Sequence, residues 1–311
     1  MRLAIIDCGT NTFNLIIGDI INDGEFKTIE EIKLPVKLGE GGINNKIIIP
    51  AAMQRGLDAF GKLCNHAYSF KISKIIALGT AALRRASNAE EFKDKLFIAT
   101  GVRVRIIDEK TEALLIAKGV LLTTNKLTGP FLILDIGGGS CEFIICNSSE
   151  ILWSKSYEIG AALLLDKFKF EDPYLEKQVD QIENLLDTEL KDFLEAIERF
   201  HPQTMVGSAG SFETFADLIE MEYRNRICDN ANENYLFNLA EYETLHQKLL
   251  ETTLPQKMEI PGMLKPRADM IAIASIITTF VFQKINGRQM FMSRNSLREG
   301  ILQQLAEGKN L

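Results

Sequence analysis

At 311 residues, 46% hydrophobic and 25% charged, the chain is long enough for two ordinary domains with buried cores and too apolar to be disordered. Its net charge of −7 excludes a protein that coats nucleic acid, since that affinity comes from clustered Lys and Arg, and a polyanionic ligand would need a local basic patch. Five cysteines without a C-x-x-C pair, three scattered histidines, an Asp at position 7 and no apolar run near the ~20 residues of a membrane span point to a cytoplasmic protein without structural disulfides, zinc, a signal peptide or a membrane segment.

Arg2 to Ile6 reads as a buried strand, the polar loop through Thr12 as a tight turn, and Phe13 to Ile20 as the returning hairpin strand, with Gly18 marking a bulge. A strand near Phe26 to Leu34 precedes a loop with Gly39, Gly41 and Gly42, after which Pro50 opens a helix toward Phe70. Ile72 to Leu78 is a strand ending at Gly79-Thr80, and Asn88-x-x-Glu91 reads as a capping box for the next helix. Val102 to Ile107 is another strand, and Asp108 caps a helix that carries Glu112 toward Thr123. Asn125 to Pro130 is the strongest linker signal, which sets domains at 1–124 and 125–311. In the second half, Phe131 to Leu134, Phe143 to Cys146 and Ile151 to Tyr157 form a meander. Helical spacing from Tyr174 to Phe200 predicts one long helix. Thr204 to Val206 leads into a glycine-rich turn from which Phe212 starts a helix. Arg267 to Phe282 and Ser296 to Ala306 read as closing helices around a short strand, Gln289 to Met292. Strands followed by helices, twice over, mean two α/β domains.

Two turns carry the chemistry. Ile5-Ile6-Asp7-Cys8-Gly9-Thr10-Asn11-Thr12 recurs in altered form as Ile133-Leu134-Asp135-Ile136-Gly137-Gly138-Gly139-Ser140. The two Asp residues lie 128 positions apart, 135 less 7, and Gly79 and Gly207 share that spacing within Leu78-Gly79-Thr80-Ala81 and Val206-Gly207-Ser208-Ala209. The expectation is two homologous halves facing each other across a cleft, each offering a carboxylate and a turn rich in backbone N–H donors. Small residues let the backbone approach an oxyanion, while Asp7 and Asp135 can hold a hydrated Mg²⁺ that bridges phosphate oxygens. That is apparatus for phosphoryl transfer.

At these residues the chain resembles the Ppx/GppA family, exopolyphosphatases and guanosine pentaphosphate phosphohydrolases of the actin, sugar-kinase and Hsp70 superfamily. The likeness runs through Ile6-Asp7-x-Gly9-Thr10-Asn11-Thr12, Leu38-Gly39-Glu40-Gly41, Gly79-Thr80-x-x-Leu83-Arg84-x-Ala86-x-Asn88 and Glu112-Ala113 with Gly119-Val120. It continues through Asp135-Ile136-Gly137-Gly138-Gly139-Ser140-x-Glu142, Gly207-x-x-Gly210-Ser211, Arg267-Ala268-Asp269 and Leu297-Arg298-Glu299-Gly300. The resemblance implies two ribonuclease-H-like domains with mixed sheets flanked by helices and an active site in the cleft between them. It implies Glu112 as the general base that activates water for in-line attack. It further implies phosphate contacts from Gly9, Thr10, Asn11, Thr12, Arg84, Gly137, Gly138, Gly139, Ser140, Gly207, Ser208, Gly210, Ser211 and Arg267. Asp7, Asp135 and Glu142 would face Mg²⁺, or Mn²⁺ in its place. The implied substrate is polyphosphate or guanosine pentaphosphate, and a homodimer is the common state among relatives.

Departures bear on substrate. Many relatives have arginine where Asn14 stands and a basic residue where Leu163 stands, and longer relatives carry a C-terminal extension that helps engage long polyphosphate; short substrates are therefore expected to be preferred. Thr111 and Cys141 replace a glutamate and a threonine of the family motifs. Two other readings stay open: a superfamily kinase or ATPase using the same loops, and a non-catalytic sensor that binds the alarmone.

Overall fold

The computed structural model describes residues 1–22, 24–124, 127, 129–168, 170–228 and 234–311. The chain forms two compact units. The first comprises Met1–Gly119, Gly137–Gly139 and Ser296–Leu311, and the second Val120–Ile136 and Ser140–Asn295. This differs from the division at 124/125: the last helix belongs with the first unit, because its packing partners lie there. Of the expected linker, Asn125, Lys126 and Thr128 lie outside the described residues.

The first unit is built on a five-stranded sheet of β1 (Arg2–Cys8), β2 (Thr12–Asn22), β3 (Glu25–Pro35), β4 (Lys74–Gly79) and β5 (Val104–Ile106), in the order β3-β2-β1-β4-β5. The first three strands run antiparallel, and β4 and β5 join parallel to β1. The second unit repeats this plan. Its strands are β6 (Phe131–Ile136), β7 (Cys141–Cys146), β8 (Ile151–Tyr157), β9 (Thr204–Ser208), β10 (Tyr235–Leu236) and β11 (Gln289–Met292). They lie in the order β8-β7-β6-β9-β11-β10, again an antiparallel meander continued by two parallel strands, with β10 added antiparallel at the edge. Two mixed sheets flanked by helices thus share one topology. The β2/β3 register slips between Ile17 and Gly18, where the bulge was expected.

Alternation along β1 and β2 sends Ala4, Ile6, Cys8, Phe13, Leu15 and Ile17 to one face, where the helix Pro50–Ser69 covers them with Phe60 and Leu63. The opposite face of β2 meets the closing helix Leu297–Ala306: a Cβ at Gly18 would fall 2.9 Å from Leu302. In the second unit every residue of β6 and β7 is buried, as central strands covered on both faces require.

Several local readings need correction. The long helix expected over Tyr174 to Phe200 is two, Glu176–Glu189 and Lys191–Phe200, interrupted at the fully buried Leu190. Helical hydrogen bonds flank the break on both sides, so the apolar period runs on and hides it. Asn88 does not cap its helix. Its carboxamide instead pairs with both backbone groups of Ile48, accepting at 2.9 Å and donating at 2.9 Å. The segment from Arg267 begins as a 3₁₀ turn, Lys265–Arg267, before the helix Ile271–Lys284.

The helix that carries Glu112, Glu109–Leu121, is seated on the closing helix by two glycines. A Cβ at Gly119 would lie 2.0 Å from the Ser296 carbonyl oxygen, and one at Gly300 would lie 1.8 Å from that of Leu115. Neither neighbour is a side chain that can rotate away. Gly119→Ala or Gly300→Ala should therefore cost about 3 kcal/mol, at the upper end for one added methyl, and lower the first thermal unfolding transition by several degrees. A calorimetric trace like the parent's would show that the two helices can part without cost.

Candidate functional site

In the first unit the turn after β1 is closed by the Gly9 N–H donating to the Thr12 carbonyl at 3.2 Å. Gly9 is required there, since a Cβ would sit 2.9 Å from that oxygen. The Asn11 carbonyl accepts from the N–H groups of Val36 (2.8 Å) and Lys37 (2.9 Å), and the Thr10 carbonyl accepts from Gly39 (3.2 Å). The Leu38-Gly39-Glu40-Gly41 motif thus braces the first turn. Behind it, Arg55 donates to the carbonyls of Val36 and Lys37 and to Glu40, each at 2.8 Å. Sequence reading missed Arg55, because nothing in helical spacing marks a brace. Gly137–Gly139 also group with the first unit, where a Cβ at Gly138 would meet the Asn11 carboxamide at 2.3 Å.

Asp7 sits at the end of β1 directly opposite Asn14 on β2, and the Asn14 amide donates to its Oδ2 at 3.0 Å. Glu112 lies in the first turn of its helix, which Asp108 caps by accepting from the Thr111 N–H at 2.7 Å. The Glu112 side chain is only 8% exposed, and Arg84 donates to its Oε2 at 2.7 Å and to the Ile107 carbonyl at 3.1 Å. The sequence-predicted base and one sequence-predicted phosphate cation are therefore an ion pair.

In the second unit Asp135 and Glu142 are direct partners on β6 and β7, both buried. Two like charges facing each other across strands are unfavourable unless a cation or a proton comes between them. Hydroxyl groups hold both: Ser208 donates to Asp135 Oδ2 at 2.5 Å, while Ser140 (2.7 Å) and Ser156 (2.8 Å) donate to Glu142 Oε1. Ser156 was not foreseen, and only the β7/β8 register reveals it. Gly207 and Gly210 have packing duties. A Cβ at Gly207 would strike the Phe212 ring at 2.0 Å, and one at Gly210 would strike the Arg267 guanidinium at 1.7 Å. Arg267 thus lies over the first turn of the helix Ala209–Arg224, close to the buried Ser211. Burial lowers its proton affinity below the ordinary value, against the opposing pull of Glu213 and Asp217. Gly79 and Gly207 share their spacing from the Asp turns but not their rung, for Gly79 pairs with Cys8 and Gly207 with Leu134.

Among the described residues no three His, Cys, Asp or Glu side chains gather into a ready-made metal centre. The paired carboxylates Asp135 and Glu142 nonetheless fit Mg²⁺, which prefers hard oxygen donors and takes one or two carboxylates, with water and phosphate completing its shell.

A sequence model of the Ppx/GppA phosphatase family matches residues 18–308. The chain belongs to that family. An exopolyphosphatase of Cytophaga hutchinsonii, known from its crystal structure, is 35% identical and superposes with a TM-score of 0.96, covering 100% of this chain and 99% of its own. A Haemophilus influenzae protein provisionally named an exopolyphosphatase is 27% identical over 98% of this chain and 91% of its own length. A guanosine-5'-triphosphate,3'-diphosphate pyrophosphatase of Aliivibrio fischeri is 26% identical over 96% of this chain but only 58% of its own, so the Ppx/GppA chain described here spans rather more than half of that relative. Among the described residues no helix is long and apolar enough to cross a membrane.

Proposed function

We propose that the protein releases orthophosphate from the end of inorganic polyphosphate or of guanosine pentaphosphate, in a Mg²⁺-dependent hydrolysis. As a member of the Ppx/GppA family it is a phosphoanhydride hydrolase. The observation that carries the reading is the buried Arg84–Glu112 pair at the first turn of a capped helix. Glu112 takes the proton of the attacking water, a role that needs a carboxylate held in place and shielded from solvent. Its proton affinity is low while Arg84 holds it and rises when a phosphate oxygen draws the guanidinium away, so substrate itself readies the base. The turns at Gly9–Thr12 and Gly137–Ser140 offer backbone N–H groups to phosphate oxygens. Mg²⁺, held by Asp135 and Glu142 and facing Asp7, supplies neutralisation of charge on the phosphate oxygens when bound.

The basic residues that many relatives place at two positions are not replaced by equivalents there. Asn14 is turned onto Asp7, and Leu163 is buried. Little therefore grips a long chain away from the scissile bond. Phosphate release from tripolyphosphate, long-chain polyphosphate and guanosine pentaphosphate at matched Mg²⁺ should give kcat/KM values for the short substrates equal to or above that for the long one, with intermediate lengths visible on a gel. No release from any of the three would leave the alarmone-binding sensor as the better reading.

A further inference from the structure

Sheet register sets two rows of side chains beside one another for comparison. In the first unit Asp7 pairs with Asn14, and Asn14 pairs in turn with Lys33 on β3. In the second unit Asp135 pairs with Glu142, and Glu142 with Ser156 on β8. Directly paired residues project from the same face, so each row is a short line of side chains on one side of its sheet, spanning about 10 Å over two strand spacings. The rows occupy equivalent places in equivalent sheets but differ in charge. The second row holds two carboxylates and a hydroxyl, and its third member serves its middle one: Ser156 donates to Glu142 at 2.8 Å. The first row holds one carboxylate, a neutral amide and an ammonium. Its middle member serves Asp7, at 3.0 Å, and carries no charge of its own for Lys33 to neutralise.

The second row is arranged for a cation, the first for something that accepts from one. Lys33 is exposed, and its flexible stem and three donors suit a phosphate oxygen. We infer that Lys33 is a substrate-binding residue that contacts a phosphate of the substrate. Asn14 is the neutral spacer that keeps the ammonium from being cancelled within its own row. This inference rests on the phosphoanhydride reading above and adds to it a cation on β3 that no family motif in this chain contains.

The test uses tripolyphosphate, which has the condensed triphosphate common to both candidate substrates, and the full-length Glu112→Gln protein, so that binding is measured without turnover. Calorimetric titration in Mg²⁺ should give a Kd about tenfold weaker when Lys33→Met is added, as expected for loss of one charge-assisted contact. The slope of log Kd against log salt should fall by about one contact. Lys33→Arg should restore both. Thermal stability should stay at the parent's value, since the side chain is exposed. Unchanged affinity and salt slope in Lys33→Met would overturn the inference, as would a stability loss that Lys33→Arg does not repair. Failure of the Glu112→Gln parent to bind tripolyphosphate at all would instead remove the phosphoanhydride reading on which the inference stands.

Discussion

Glu112→Gln is expected to lower kcat by 10²–10⁴-fold while leaving the fold and tripolyphosphate binding in place, the range that a positioned general base ordinarily supplies. The amide cannot take a proton from water, yet it nearly matches the carboxylate in shape, and its oxygen can still accept from Arg84, now 2.7 Å away. Loss of the negative charge also loosens Arg84, which leaves the guanidinium more available to phosphate. Affinity for a phosphate ligand should therefore hold steady or improve as turnover collapses. Single-turnover kinetics together with calorimetry separate the two effects. Wild-type-like turnover would take Glu112 out of the mechanism. Weakened binding would instead mean that the pair acts as a unit in holding substrate.

The second large effect is expected in the carboxylate pair of the second unit. Asp135→Asn or Glu142→Gln should raise the Mg²⁺ concentration for half-maximal activity by roughly tenfold or more, because each removes one formal charge from a site with few protein ligands. Glu142→Gln adds a sharper expectation. The glutamine oxygen can still accept from Ser140 and Ser156, and the repulsion between facing carboxylates on β6 and β7 disappears. The metal-free variant should thus melt at or above the parent's temperature while the shift on adding Mn²⁺ shrinks, an exchange of stability for function found at strained sites. If metal-free Glu142→Gln melts lower and Mn²⁺ still shifts it as in the parent, the pair is a structural network and the metal is held elsewhere.

Much of this was legible because strand–turn–strand frames write themselves locally. Asp7 and Asp135 stand at the ends of short apolar runs followed by glycine-rich turns, and both fall on strands with the same neighbours in their sheets. What stayed hidden depended on partners distant in sequence. The Arg84–Glu112 pair spans 28 positions, and neither residue's type or spacing announces the other. Asn88 satisfied a local capping pattern but was claimed by the backbone of Ile48, 40 positions away. Gly207 reads equally well as a phosphate turn or as a site cleared for the Phe212 ring, and only packing shows the second. The break at Leu190 was invisible because one residue out of helical conformation shifts the apolar pattern too little to register.

The closing helix Leu297–Ala306 brings Gly300 against the Leu115 carbonyl and Leu302 against Gly18, so the first unit is assembled from both ends of the chain, with the second lying between them in sequence. A ribosome delivers residues from the N-terminus onward, and domains generally fold as units once their residues are available. Val120–Asn295 has its core complete while β1, β2 and the helix bearing Glu112 still lack their cover. The unit whose synthesis begins first is therefore finished last, and until then it exposes an apolar sheet face for which a chaperone is the natural temporary partner.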